Sequence, residues 1–100
     1  MNPNACALDG NGRLSGGVTF ENLAEIRSAG EALIRESKHG TVEFDCSGLE
    51  EASGVAVALL IAWRRAAGSC GKNVVFRGTS LDLRNIAAFS GLGDVLPLEA

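Results

Sequence analysis

The stretch Thr41-Val42-Glu43-Phe44-Asp45-Cys46 alternates strictly, with Val42, Phe44 and Cys46 on one side and Thr41, Glu43 and Asp45 on the other. A period of two is the signature of a strand with one buried face. A strand covered on both faces would not carry two carboxylates on one of them, so helices cover one face of its sheet and the second face is wetter. A polar loop, Ser47 to Ser53, follows. Gly54 to Ala67 then predicts a helix, stopped by Gly68.

Working outward, the same grammar repeats. Upstream, Ala5 to Leu8 and Arg13 to Ser15 flank Asp9-Gly10-Asn11-Gly12, a strong turn signal, and predict a hairpin. Thr19 opens a helix with an ordinary hydroxyl cap, since Asn22 stands where a capping box prefers Glu or Gln. Leu23, Ile26, Leu33 and Ile34 mark its buried stripe. Gly30 falls on that stripe and costs about 1 kcal/mol of propensity against Ala, which a close approach to the sheet would offset. Lys38-His39-Gly40 ends the helix, with cations at its negative end.

Downstream, Asn73 to Arg77 is a strand and Leu81 to Ser90 a helix led by Ser80, with Leu83, Ile86, Ala87, Phe89 and Ser90 giving its faces. Asp94 to Leu98 is a last short strand, with Pro97 suited to an edge. The order β-β-α-β-α-β-α-β predicts an α/β fold: a mixed sheet with helices mainly on one face.

Composition agrees with a single domain over residues 1–100. The chain has 100 residues, 46% of them in the hydrophobic set and 21% charged, enough to bury one core but not two. A formal charge of −3 gives neither nucleic acid nor an anionic membrane the basic face it needs. Cys6, Cys46 and Cys70 form no CxxC pair, and one His cannot complete a usual zinc set. They read as reduced thiols of a cytosolic protein, with no metal and no cofactor. Cys46 belongs to the core side of its strand; Cys70 falls in a turn. The start, Met1-Asn2-Pro3-Asn4, lacks the pattern of a signal peptide. The apolar run Val55 to Trp63 is far short of the roughly 20 residues of a membrane span.

That run is nevertheless the informative one, because it is apolar all the way round. A helix on one sheet face needs one apolar stripe, which Val55, Leu59, Ala62 and Ala66 can supply. Val57, Leu60 and Ile61 are then buried by flanking helices or belong to a protein-binding surface. Ser53 carries a similar choice. It is an N-cap, worth about 1 kcal/mol, or a phosphoacceptor at a helix terminus that favours negative charge. Glu50 and Glu51 oppose the second role.

Other chemistry fails on spacing. Gly68-Ser69-Cys70-Gly71-Lys72 is similar to the tail of a phosphate loop, but Asn73 follows the Lys and the order is helix to strand. Glu51 and Val55 flank Ser53 where a nucleophile elbow needs Gly, and His39 is a lone helix-end imidazole.

Taken together, the pattern resembles the STAS domain family (sulfate transporter and anti-sigma-factor antagonist). Leu14-Ser15-Gly16-Gly17-Val18 resembles the family's L-x-G-x-L/V strand, and Val42 to Leu49 its V-x-x-D-L-S-x-V segment. Ala52-Ser53-Gly54 resembles the D-S/T-G loop that opens the next helix, and Val74-Val75-Phe76-Arg77-Gly78 the following strand. Gly93-Asp94-Val95-Leu96-Pro97-Leu98 is similar to the ending of the small MlaB-like subunits of bacterial phospholipid-transport ABC systems.

The resemblance implies a STAS-type, SpoIIAA-like fold and a non-enzymatic subunit that serves outer-membrane lipid asymmetry. Such a subunit sits in the cytoplasm at the inner face of the inner membrane, without inserting. It binds the transporter's ATPase subunit and, through it, the permease. Ser53, with Glu51, Ala52, Gly54, Val55, Ala56 and Val57, is the implied contact, and Arg64 and Arg65 a charged rim. The alternative is an anti-sigma-factor antagonist whose Ser53 is phosphorylated by a GHKL-type kinase. The family's acidic residue before the Ser/Thr is Ala52 here, or Glu51 one place earlier.

Overall fold

The computed structural model describes residues 6–92 and 96–100. Strands β1 (Ala7–Leu8) and β2 (Arg13–Gly16) form the opening hairpin. Helix α1 (Leu23–Glu36), strand β3 (Thr41–Leu49), helix α2 (Gly54–Ser69), strand β4 (Asn73–Arg77) and helix α3 (Leu81–Phe89) follow. The sheet order is β1-β2-β3-β4, antiparallel between β1 and β2 and parallel thereafter. This is the mixed sheet expected.

The turn signal works through Asp9, whose Oδ1 accepts from the backbone N–H groups of Asn11 and Arg13, each at 2.9 Å. The final strand reduces to a single parallel bridge between Leu98 and Phe76; residues 94 and 95 lie outside the described set. Phe76 N–H donates to Pro97 O at 3.1 Å, and Glu99 N–H donates to Phe76 O at 2.7 Å. Pro97 lends its carbonyl and needs no N–H at this edge.

One core contains Phe44, Cys46, Val74 and Phe76 from the sheet together with Ile26 and Ile34 of α1, the buried side of α2, and Leu83 and Ala87 of α3. All three helices therefore cover the same face. The opposite face carries Glu43, Arg77 and Glu99, with Arg77 bridging the two carboxylates at 2.8 and 3.0 Å. These side chains are half exposed, so the pairs add little stability.

Trp63 organises the core. Its ring stacks on Phe44 with centroids 4.3 Å apart, and its Nε1–H donates to Arg27 O at 3.1 Å. It also corrects two expectations. Gly30 does make a close approach, but to the Trp63 ring rather than to the sheet: a Cβ there would overlap Cε2, Nε1 and Cζ2. The buried side of α2 is Ala56, Val57, Leu59, Leu60, Trp63 and Ala67, not the stripe through Val55, Ala62 and Ala66. The largest side chain fixes the rotation of the helix, and Val57 and Leu60 are buried in the chain's own core.

Strand β3 runs three residues past Cys46. A register irregularity sets Arg13 opposite Asp45 but Ser15 opposite Gly48, so β3 carries an extra residue and the alternation breaks. Ser47, Gly48 and Leu49 are therefore strand rather than loop.

Helix α1 begins at Leu23 with Asn22 as its N-cap, not at Thr19 as expected; Thr19 and Asn22 close the turn ahead of it with reciprocal hydrogen bonds. Thr19 N–H donates to Asn22 Oδ1 at 2.8 Å, and Asn22 N–H donates to Thr19 Oγ1 at 3.3 Å. At the other end of α1, Lys72 Nζ donates to the carbonyls of Ile34 (2.6 Å) and Ser37 (2.7 Å), with Arg35 O at 3.3 Å. The former phosphate-loop lookalike is thus a helix cap.

Candidate functional site

Parallel strands leave their loops together, so the β2–α1, β3–α2 and β4–α3 connections meet at one end of the sheet, where α/β folds place their binding surfaces. Two of the helices begin there with a hydroxyl cap, Ser53 for α2 and Ser80 for α3, while the N-cap of α1 is Asn22, which makes no side-chain cap hydrogen bond. Ser53 takes extended backbone angles, and its Oγ accepts from Ala56 N–H at 3.1 Å. Its capping role is therefore structural fact. Ser80 Oγ accepts likewise from Leu83 N–H at 3.1 Å.

The turn from β4 into α3 depends on Gly78, which has φ +71° and would set a Cβ 2.9 Å from Ser47 Cβ. Ser47 is itself held to Asp45, whose Oδ1 accepts from Ser47 N–H at 2.9 Å. Hydrogen bonding from the Ser47 side chain and its N–H holds the Asp45 carboxyl below the usual range, helped by Arg13.

The β3–α2 loop lies against one face of α3. Glu50, Glu51 and Ala52 with Asp82, Asn85, Ile86 and Phe89 line an open groove of about 490 Å³. A smaller cleft of about 150 Å³, lined also by Cys46, Ser47, Gly78 and Ser80, adjoins it and shares Glu50, Ala52 and Asp82. Phe89 is 94% exposed and Leu81 62%. Phe20, in the β2–α1 loop, is also exposed. The sequence reading gave Phe89 no surface role. The signal was present: Asp82, Asn85, Ile86 and Phe89 stand at i, i+3, i+4 and i+7, off the Leu83–Ala87 core stripe.

Of the expected contact residues, Glu51, Ala52, Ser53, Gly54 and Val55 are contiguous here and at least partly accessible. Two expectations need correction. Ala56 and Val57 are buried in the chain's own core, because the rotation set by Trp63 turns them inward. Arg64 lies ten residues along α2, about 15 Å from Gly54. It lines a different cleft with Lys72, Asn73 and Pro97. Arg65 lines another with Arg27 and Glu31, so neither arginine rims the Ser53 loop.

Gly54 is exposed and helical, and a Cβ built on it would meet no atom within 4 Å. The fold itself does not require a glycine there. His39 lines a cleft with Gly10, Asn11 and Thr41 at the start of β3. That is a strand length of about 26 Å from the Ser53 end, so it is no base for Ser53. Burial, with the Asp45 charge, pushes the Cys46 thiol up to about 12. Among the described residues, no group of three or more His, Cys, Asp or Glu is arranged to hold a metal ion. No helix of the described residues is long and apolar enough to cross a membrane.

A mixed sheet covered by three helices on one face, with a capped serine opening the second of them beside an exposed groove, is the architecture of a STAS domain. The chain belongs to that family, whose model described as "Mlab, STAS domain" matches residues 6–98. A chain of the Acinetobacter MlaFEDB complex, solved in its ATP-bound Vtrans2 conformation, is 26% identical with a TM-score of 0.79. That likeness covers 92% of this chain and 98% of the other. The unphosphorylated anti-sigma factor antagonist SpoIIAA is 17% identical over 96% of this chain and 86% of its own, with a TM-score of 0.66. At that identity it shows the fold alone. A search of curated protein sequences gives no significant match.

Proposed function

We propose that this chain is a non-enzymatic STAS subunit that docks on the ATPase of a phospholipid-transport ABC system at the cytoplasmic face of the inner membrane. The observation that carries the reading is the α2 N-terminal loop. It presents a glycine the fold does not need and sits beside an apolar side chain that is almost wholly solvent-exposed. Gly54 gives a partner backbone room to approach Ser53, and the neighbouring groove supplies apolar surface to bury. The near full-length likeness to a chain of the MlaFEDB complex supports a transporter assembly as the partner. The Ser53 hydroxyl is engaged as the cap of α2, and His39, the chain's one histidine, lies at the far end of β3, which favours contact over chemistry.

Ser53→Asp tests the contact. Asp caps as well as Ser, and its charge suits the helix N-terminus, so the fold survives. The added carboxylate sits beside Glu50 and Glu51. Affinity for the ATPase subunit is expected to fall by about tenfold or more, because a partner backbone approaching at Gly54 must strip water from the larger, charged side chain. Unchanged affinity in the folded variant overturns the assignment of Ser53 to the interface.

A further inference from the structure

The groove between residues 50–52 and α3 has a chemistry of its own. Its charged lining consists of Glu50, Glu51 and Asp82, and no cation shares it. None of the three is in an ion pair among the described residues. Asp82 has a local role in the first turn of α3, where negative charge suits the helix dipole. Glu50 and Glu51 stand ahead of α2, outside its first turn, which contains no acidic residue of its own. The floor is apolar, from Ile86 and the exposed Phe89.

We propose that this groove seats a basic amphipathic helix of a protein partner, with its apolar stripe on Phe89 and Ile86 and its cations on Glu50, Glu51 and Asp82. A purely apolar segment would strip water from three carboxylates without replacing it, and an acidic one would be repelled. Along α3 the groove runs from Asp82 through Asn85 to Ile86 and Phe89 at i, i+3, i+4 and i+7, with Glu50 and Glu51 on the opposite wall, a length and polarity that suit a second helix laid in the groove. An added strand has no template here, since the edge of β4 is occupied by residues 97–99. The inference deepens the functional reading above and rests on it only for the partner being a protein subunit.

The test is site-directed photo-cross-linking in the native host. The full chain carries a photoreactive phenylalanine analogue in place of Phe89, and the cross-linked segment is sequenced by mass spectrometry. Because Phe89 is almost wholly exposed, its replacement leaves the fold intact. The expected product joins position 89 to a segment of net positive charge whose apolar residues recur at helical spacing. The Glu50→Lys/Glu51→Lys double variant is expected to cut its yield by about fivefold or more, with an unchanged melting temperature. If that segment belongs to an ABC ATPase, both readings stand. If it belongs to another protein, the groove assignment stands and the transporter reading fails. Absence of a product from position 89, a segment without net positive charge, or a yield indifferent to the charge reversal overturns the groove assignment, even if an ATPase co-purifies.

Discussion

Replacing Gly30 by Ala is the sharpest test of how α2 is held. On propensity alone the exchange stabilises a helix interior by about 1 kcal/mol. The structure reverses that sign. The new methyl overlaps three atoms of the Trp63 indole, and the ring has nowhere to go. It is stacked on Phe44 at 4.3 Å with 12° between planes, lies over Phe76, and is tied to Arg27 O through Nε1–H. Overpacking costs about 1–3 kcal/mol, and a buried donor pulled off its acceptor another 1–3 kcal/mol. After the propensity gain, the net loss is about 3 kcal/mol. For a domain of this size that lowers the melting temperature by roughly 12–24 °C. Thermal and urea unfolding read it directly, with the fluorescence of the chain's single Trp as the probe. Shrinking the partner with Trp63→Leu in the same chain, followed by circular dichroism because that variant has no Trp, recovers part of the loss, a non-additivity expected of residues in contact. A Gly30→Ala protein as stable as the parent refutes the account of this interface.

Val57→Glu buries a carboxylate at a position only 3% exposed, with loss of more than about 3 kcal/mol; a near-native melting temperature with lost partner binding would return Val57 to the surface. Lys72→Met removes the cap on the last turn of α1 and costs about 1–3 kcal/mol. Amide exchange there should rise while the Ser53 loop is unaffected, and unchanged exchange contradicts the capping role. At pH 8, iodoacetamide should label exposed Cys70 in the native protein and spare Cys46 until denaturant is added. Because the folded Cys46 value lies above its unfolded value of 9.0, the stability it contributes is full below about pH 9 and declines as pH rises toward about 12. Native labelling of Cys46, or a flat profile for its contribution, measured against Cys46→Ala, removes the burial argument.

The element order was legible because turns and periodicities are local. Asp9-Gly10-Asn11-Gly12 specifies its own hairpin, and the alternation through Cys46 specifies β3. What the sequence hid was set by distant partners. The extra residue in β3 is defined only against Ser15 of β2, so Ser47 to Leu49 read as loop. The helix α2 is apolar all round, and its rotation is chosen by Trp63 meeting Phe44 and Gly30. Lys72 caps a helix that ended more than thirty residues earlier. The Ser53 loop was found from motif resemblance and helix chemistry, whereas the groove beside it forms only when α3 packs against the loop. Phe89 could have been flagged by its place off the core stripe, but its carboxylate neighbours Glu50 and Glu51 come from another element.

As a docking subunit of a transporter ATPase, this STAS chain should be recovered from cells together with that ATPase. Affinity capture of the tagged chain from its native cell, with mass spectrometry of its partners and of the Ser53 peptide, tests it most directly. The expected result is an ABC ATPase together with its membrane subunit, and an unmodified Ser53. A GHKL-type kinase as the partner, or a phosphorylated Ser53 with no transporter, contradicts it.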